Sequence, residues 1–216
     1  MFRMILLSQW KWSRLLVVAG TVAAFALPML SLQAAGGAQP ATARELLATL
    51  ERWGLAYKIL AAGLGLLGAI TAWSADNRGR HVYALVLPVP RWRYVLYRFS
   101  AGLALLAAPV IALAAGGLLA TLFASLPNGL HAYPVALAWR FALALLLAYA
   151  MFFAISSGTT RTAAAVLIVL FALGGVQVLS VATDVNLPVI DWLIDGVLAW
   201  QGPFALFGGR WMLVDV

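Results

Sequence analysis

The chain has 216 residues, of which 64% are hydrophobic and 10% charged, with a net charge of +7 and no cysteine. A soluble domain carries about 25% charged and about 45–50% apolar residues, so disorder, a collagen-like fibre, a disulfide-stapled secreted domain and an ordinary cytosolic enzyme are excluded. The composition fits an all-α, polytopic helical membrane protein with room for about five or six spans, because unbroken apolar runs replace the weak alternation of a β-barrel.

Residues 1–13 mix Met, Ile, Leu and Trp with Arg3 and Lys11. That pattern predicts an amphipathic helix lying in the membrane interface, with Arg3, Trp10, Lys11, Trp12 and Arg14 anchoring it to head groups. Residues 15–32 form the first span, and Pro28 bends it late. A basic start before an apolar run also fits a secretory signal, although a leader with two tryptophans is unusually long and aromatic. Residues 34–40 are a small-residue turn, after which Thr42-Ala43-Arg44-Glu45 reads as a capping box opening a short amphipathic helix through Trp53. The second span is 55–73, with Lys58 snorkelling near its outer end and Gly63, Gly65 and Gly68 offering a smooth face for helix contact.

Residues 99–126 form the third span, longer than a straight crossing requires. Pro127-Asn128-Gly129 ends it. Residues 136–155 are the fourth span and 162–181 the fifth, joined by a small polar turn. Residues 182–216 hold no further span: their best candidate, 196–207, contains Gln201-Gly202-Pro203 and falls short of the roughly 20 residues a crossing needs. This segment reads as short surface helices, or as a re-entrant hairpin resting on protein, on the extracytoplasmic side.

Charge sets the orientation. With the amino terminus in the cytoplasm, the inner segments hold nine cations (Arg3, Lys11, Arg14, Arg78, Arg80, Arg91, Arg93, Arg98, Arg161) against Asp76. The outer segments hold five cations against six acids, which predicts a multi-pass protein of the cell inner or plasma membrane with an extracytoplasmic carboxyl terminus.

Catalytic signatures are missing. Gly63-Leu64-Gly65-Leu66-Leu67-Gly68 has no Lys or Ser/Thr to hold phosphate, and no nucleophile elbow, metalloprotease motif or intramembrane aspartate pair occurs. His81 and His131 fall on opposite sides, so they form no joint metal or haem site. Asp184, Asp191 and Asp195 read as a solvated acidic face rather than a metal site. Gln177 and Thr21 are the notable polar residues within spans, too few for a proton-coupled carrier. No resident cofactor, metal or nucleic-acid partner is expected, and the chain reads as no enzyme.

The most informative stretch is 76–91. A short helix over 79–87 ends at Pro88, and Pro90 opens the next helix, which carries Arg91, Arg93 and Arg98 toward head groups. Tyr83, Leu85 and Leu87 form an apolar patch on the cytoplasmic surface. Asp76-x-x-Gly79, Leu85-x-Leu87-Pro88-Val89-x-Arg91-x-x-Tyr94-Val95, lying between the second and third spans, resembles ABC transporter permeases of the type-2 export family. The resemblance extends over most of the chain. The amino-terminal helix is similar to the family's elbow helix, Ser156-Ser157-Gly158-Thr159-Thr160-Arg161 to its second inner loop, and Trp200-Gln201-Gly202-Pro203-Phe204 to its external segment. It implies a coupling helix of Arg78, Gly79, Arg80, His81, Tyr83, Leu85, Leu87 and Pro88 docked on a separate ATP-binding subunit, which would hold the ATP and Mg. It also implies a second permease copy or a different permease chain. Two departures are visible: Arg98 stands where the family has a lysine closing the loop, and the family's sixth span has no counterpart. That helix comes from another chain, or the permease works without it, or the chain is a shortened relative with an accessory or scaffold role.

Overall fold

The computed structural model describes residues 2–35, 43–78, 90–124, 129–157 and 204–215, together with isolated positions between 164 and 202. The described part is mostly helical. Among the described residues, four helices are long and apolar enough to cross a membrane: α1 (Phe2–Ala35), α2 (Ala43–Arg78), α3 (Arg91–Phe123) and α4 (Pro134–Ser156). A two-residue strand, β1 (His131–Ala132), pairs antiparallel with β2 (Val214–Asp215), and a 3-10 turn spans Ala205–Phe207.

Helices that follow one another run antiparallel, while the alternate pairs α1/α3 and α2/α4 run parallel and make the most extensive contacts. Paired residues fix these directions. In α1 and α2, Ser31 meets Tyr57 and Gly20 meets Leu64. In α1 and α3, Gln9 meets Arg98 and Phe25 meets Gly116. In α2 and α4, Trp73 meets Phe153 and Gly65 meets Ala148. The bundle is therefore a ring in the order α1–α2–α4–α3, with α2 and α3 on a diagonal. All starts of α1 and α3 lie at one end, called the inner end below, together with the ends of α2 and α4.

Close approach rests on glycine. A Cβ on Gly116 would run into the Phe25 carbonyl, and one on Gly65 would lie 2.6 Å from the Ala148 Cβ and 2.8 Å from the Tyr149 nitrogen. Of the three glycines expected to form the α2 face, Gly65 and Gly68 meet α3 and α4, whereas Gly63 has nothing within 4 Å.

Element boundaries differ from the sequence expectation in two places. The separate elbow helix over 1–13 is not seen: α1 runs unbroken from Phe2 to Ala35. Ser13 and Arg14 contain no helix breaker, and Ser13 Oγ donates to the Gln9 carbonyl within the helix at 2.8 Å. The short helix through Trp53 and the span from 55 are likewise one helix, since Gly54 packs under Trp211 without ending it. The third helix starts directly after Pro90, as expected, with φ of −54° at Pro90 suiting a helix entry, and it runs on without a break into the apolar stretch from 99. Pro28 and Pro109 both sit inside helices. Near Pro28, Ser31 Oγ donates to the Pro28 carbonyl at 2.9 Å and shares a 3.1 Å hydrogen bond with the Tyr57 hydroxyl. The fifth span, 162–181, lies largely outside the described residues, although Ala164, Ala165, Leu167–Val169, Phe171 and Ala172 are helical.

Candidate functional site

Two polar knots hold the described bundle, one at each end. At the inner end the centre is Arg98, which is 6% exposed. Sequence reasoning sends this cation to the head groups; the structure turns it inward, because position 98 shares a helix face with Tyr94 and Ala101, both buried. A buried guanidinium is costly unless its N–H groups are taken up. Nε donates to the Tyr94 hydroxyl at 2.8 Å, and Nη1 donates to the Ala72 carbonyl of α2. The charge also lies over the faces of Trp73 and Tyr94, 5.4 and 5.1 Å from the ring centroids, where the quadrupole attracts a cation. Trp73 in turn donates from Nε1 to the Phe153 carbonyl at 3.2 Å, which carries the linkage into α4. Gln9, 4% exposed, donates from Nε2 to the Arg98 carbonyl at 3.1 Å and ties in α1. All four helices thus meet through Arg98 and its neighbours.

Beside this knot, Gln9, Ser13, Thr71, Gly68 and Gly102 line a cavity of about 10 Å³, the size of a single water site. Its side-chain hydroxyls already donate to backbone: Ser13 to the Gln9 carbonyl, and Thr71 to the Gly68 carbonyl at 3.0 Å.

At the outer end, Arg140 grips residues 204–215. Nε donates to the Leu206 carbonyl at 3.3 Å, Nη1 to the Arg210 carbonyl at 2.7 Å, and Nη2 to the Gly208 carbonyl. Its charge lies 5.3 Å from the Trp211 ring. Lys58 donates to the Gly209 carbonyl at 3.0 Å. Gly209 has φ +63°, a left-handed turn that glycine adopts at no steric cost, and this turn aims successive carbonyls at the two cations. Trp211, Leu213 and Val214 are buried, and an exposed Arg210–Glu51 pair at 3.5 Å adds little. Residues 204–215 therefore rest on protein.

The other expected site residues fall into two groups. Arg3, Trp10, Lys11, Trp12, Arg14 and Arg93 are exposed at the inner end. Arg78 is the last residue of α2, Arg91 the first of α3, and Ser156 the last of α4; Ser157 follows in a turn with Oγ donating to the Ala154 carbonyl at 2.6 Å. Gly79, Arg80, His81, Tyr83, Leu85, Leu87 and Pro88 lie outside the described residues, as do Thr159, Arg161, Gln177, Asp184, Asp191 and the remainder of Asp195's segment. Thr21 is bonded within its own helix, to the Val17 carbonyl at 2.6 Å. Gln9 and the clamping role of Arg140 escaped sequence reasoning. The available signal for Gln9 was its place in the series Gln9, Ser13, Val17, Gly20, Ala24, small or polar side chains on one helix face.

Comparison of the chain with protein families, with curated proteins and with solved structures returns no match.

Proposed function

We propose that the chain is a multi-pass membrane protein that serves as a permease subunit of an ATP-driven export complex, with a separate ATP-binding subunit docked on residues 78–88. The observation that carries this reading is mechanical. The stretch bearing the coupling-helix pattern joins α2 to α3, which stand on a diagonal of the ring, and Arg98 fastens their inner ends by its hydrogen bond to Ala72. A push delivered to that stretch would reach α2 and α3 together, and through them the parallel pairs α2/α4 and α1/α3. ATP and Mg belong to the partner, and this chain contributes the lever and the path.

Five crossings follow from the same reading. Chain direction supports the fifth: α4 ends at the inner end with Ser156, while Phe204 onward is held at the outer end by Arg140 and Lys58. The chain between them has to travel the length of the bundle, and 162–181 is its one apolar run long enough. The amino-terminal side is cytoplasmic by the excess of inner cations.

A second reading, a non-transporting scaffold subunit, is favoured by close packing among the described residues. The cavity between α1, α2 and α3 takes one water, and glycine contacts close the neighbouring helices on one another.

One experiment separates these. The chain is isolated in mild detergent with its partners, as wild type and as Tyr83→Asp or Leu85→Asp. Export predicts that an ATPase accompanies the wild type and is lost from both variants, with membrane insertion unchanged. An ATPase that stays with the variants overturns the docking assignment. Stable partners without any ATPase support the scaffold.

A further inference from the structure

Because α1 continues without a break past Arg14, its cationic turns stay in line with its outward apolar face. Lys11, Leu15, Val18 and Val22 recur at helical spacing on one stripe, with Arg14 beside it one turn from Val18. All are exposed: Leu15 is 78%, Val18 53% and Val22 63% accessible, and both cations are open. The stripe lies opposite the buried one through Gln9, Ser13 and Val17 that packs on α3. A separate elbow helix would have swung the two cations away from this face.

We infer that this stripe is a binding site for an anionic phospholipid, with the phosphate held between Lys11 and Arg14 and an acyl chain lying along Leu15, Val18 and Val22. Residues at i and i+3 are neighbours on a helix, so both cations reach one head group. From Lys11 to Val22 the rise is about 16 Å at 1.5 Å per residue, enough to follow half of a bilayer's hydrocarbon core of about 30 Å. Trp10 and Trp12, both partly exposed, sit at the same level, where indole rings favour the boundary. Charge selects the class of lipid. The described acidic side chains, Glu45, Glu51 and Asp215, belong to the outer end, and α2 carries one acid, Asp76, to the inner end, where α1 and α3 bring Arg3, Lys11, Arg14, Arg93 and Arg98. A zwitterionic head group neutralises one phosphate with its own ammonium; an anionic one leaves a net charge for the two cations.

This inference rests on the membrane-spanning reading alone and is independent of the ATPase. The full chain is reconstituted in vesicles holding equal phosphatidylglycerol and phosphatidylcholine, extracted gently, and its retained lipids are counted by native mass spectrometry. Wild type is expected to retain phosphatidylglycerol about tenfold over phosphatidylcholine. Lys11→Gln/Arg14→Gln is expected to retain the two equally. Arg44→Gln/Arg52→Gln, which removes the same charge from the other end, is expected to keep the wild-type preference. Equal retention by wild type, a preference that survives the Lys11/Arg14 change, or a loss common to both double variants overturns the site. Resistance of all three proteins to alkaline extraction checks the membrane reading separately, so its failure is not confused with failure of the site.

Discussion

Gly63 and Gly65 stand two residues apart in α2 and differ only in what faces them. A Cβ at Gly63 meets nothing within 4 Å, whereas one at Gly65 is pressed on Ala148 and on the Tyr149 backbone. Gly65→Ala is expected to cost about 1–3 kcal/mol, the usual penalty for overpacking, and Gly63→Ala to leave stability unchanged or raise it, since alanine is the better helix former. Apparent melting temperatures in detergent decide this; equal shifts would mean that α2 and α4 are not packed at Gly65. Arg98 makes a second residue-scale test. Its planar fork serves the Tyr94 hydroxyl and the Ala72 carbonyl at once, a geometry that an ammonium on a flexible stem does not reproduce. Arg98→Lys should therefore lower stability by about 1.5–3 kcal/mol, the range of a hydrogen bond to a charged group, although charge is conserved. An unchanged melting temperature would show that charge alone suffices there.

At the scale of elements, the outer strap over 204–215 is held more by polar groups than by area. Trp211 and Leu213 are its apolar anchors, and Arg140 with Lys58 supplies four donors to four carbonyls. Removing Arg140 takes its hydrogen bonds from the Gly208 and Arg210 carbonyls and its cation from the Trp211 face, while Leu206 keeps the Trp211 Nε1 donor at 3.0 Å and Gly209 keeps Lys58. The absence of cysteine makes the consequence easy to read. A single Leu213→Cys is expected to resist maleimide in the wild-type background and to react at least about tenfold faster when Arg140→Gln is added, the factor that 1.4 kcal/mol of lost docking produces. Equal rates would mean that the strap is held by β1 and its apolar anchors without the arginine.

For the whole molecule, the decisive quantity is sidedness. The ends of α1 and α2 alternate, so Lys11 and Arg44 lie at opposite ends of the bundle. With single cysteines at 11, 44 and 191, an impermeant maleimide applied to intact cells should label positions 44 and 191, and position 11 only after the membrane is opened. Labelling of 191 from the same side as 11 would remove the fifth crossing, and labelling of 11 from outside would reverse the orientation.

Legibility in the sequence followed the physics of each signal. The helical class, the four apolar runs and the entry of α3 after Pro90 are properties of local composition, because lipid compatibility and proline stereochemistry act residue by residue. Orientation expectations rest on the same local kind of signal, the count of cations on each loop. Continuity of α1 and α2 was not legible: Arg14 and Gly54 look like boundaries in a hydropathy profile, yet a helix ends only where its backbone bonding ends. Arg98 shows the deeper limit. Its charge is written in the sequence, but whether that charge meets phosphate or Tyr94, Ala72 and Trp73 depends on which face of α3 the other helices cover. The same holds for Arg140 and the carbonyls it collects from residues some 70 positions away. Composition and spacing by themselves determined that this chain is helical and lipid-compatible. Tertiary structure alone decided which cations are turned inward to fasten it, because burial and hydrogen-bond partners are properties of neighbours in space.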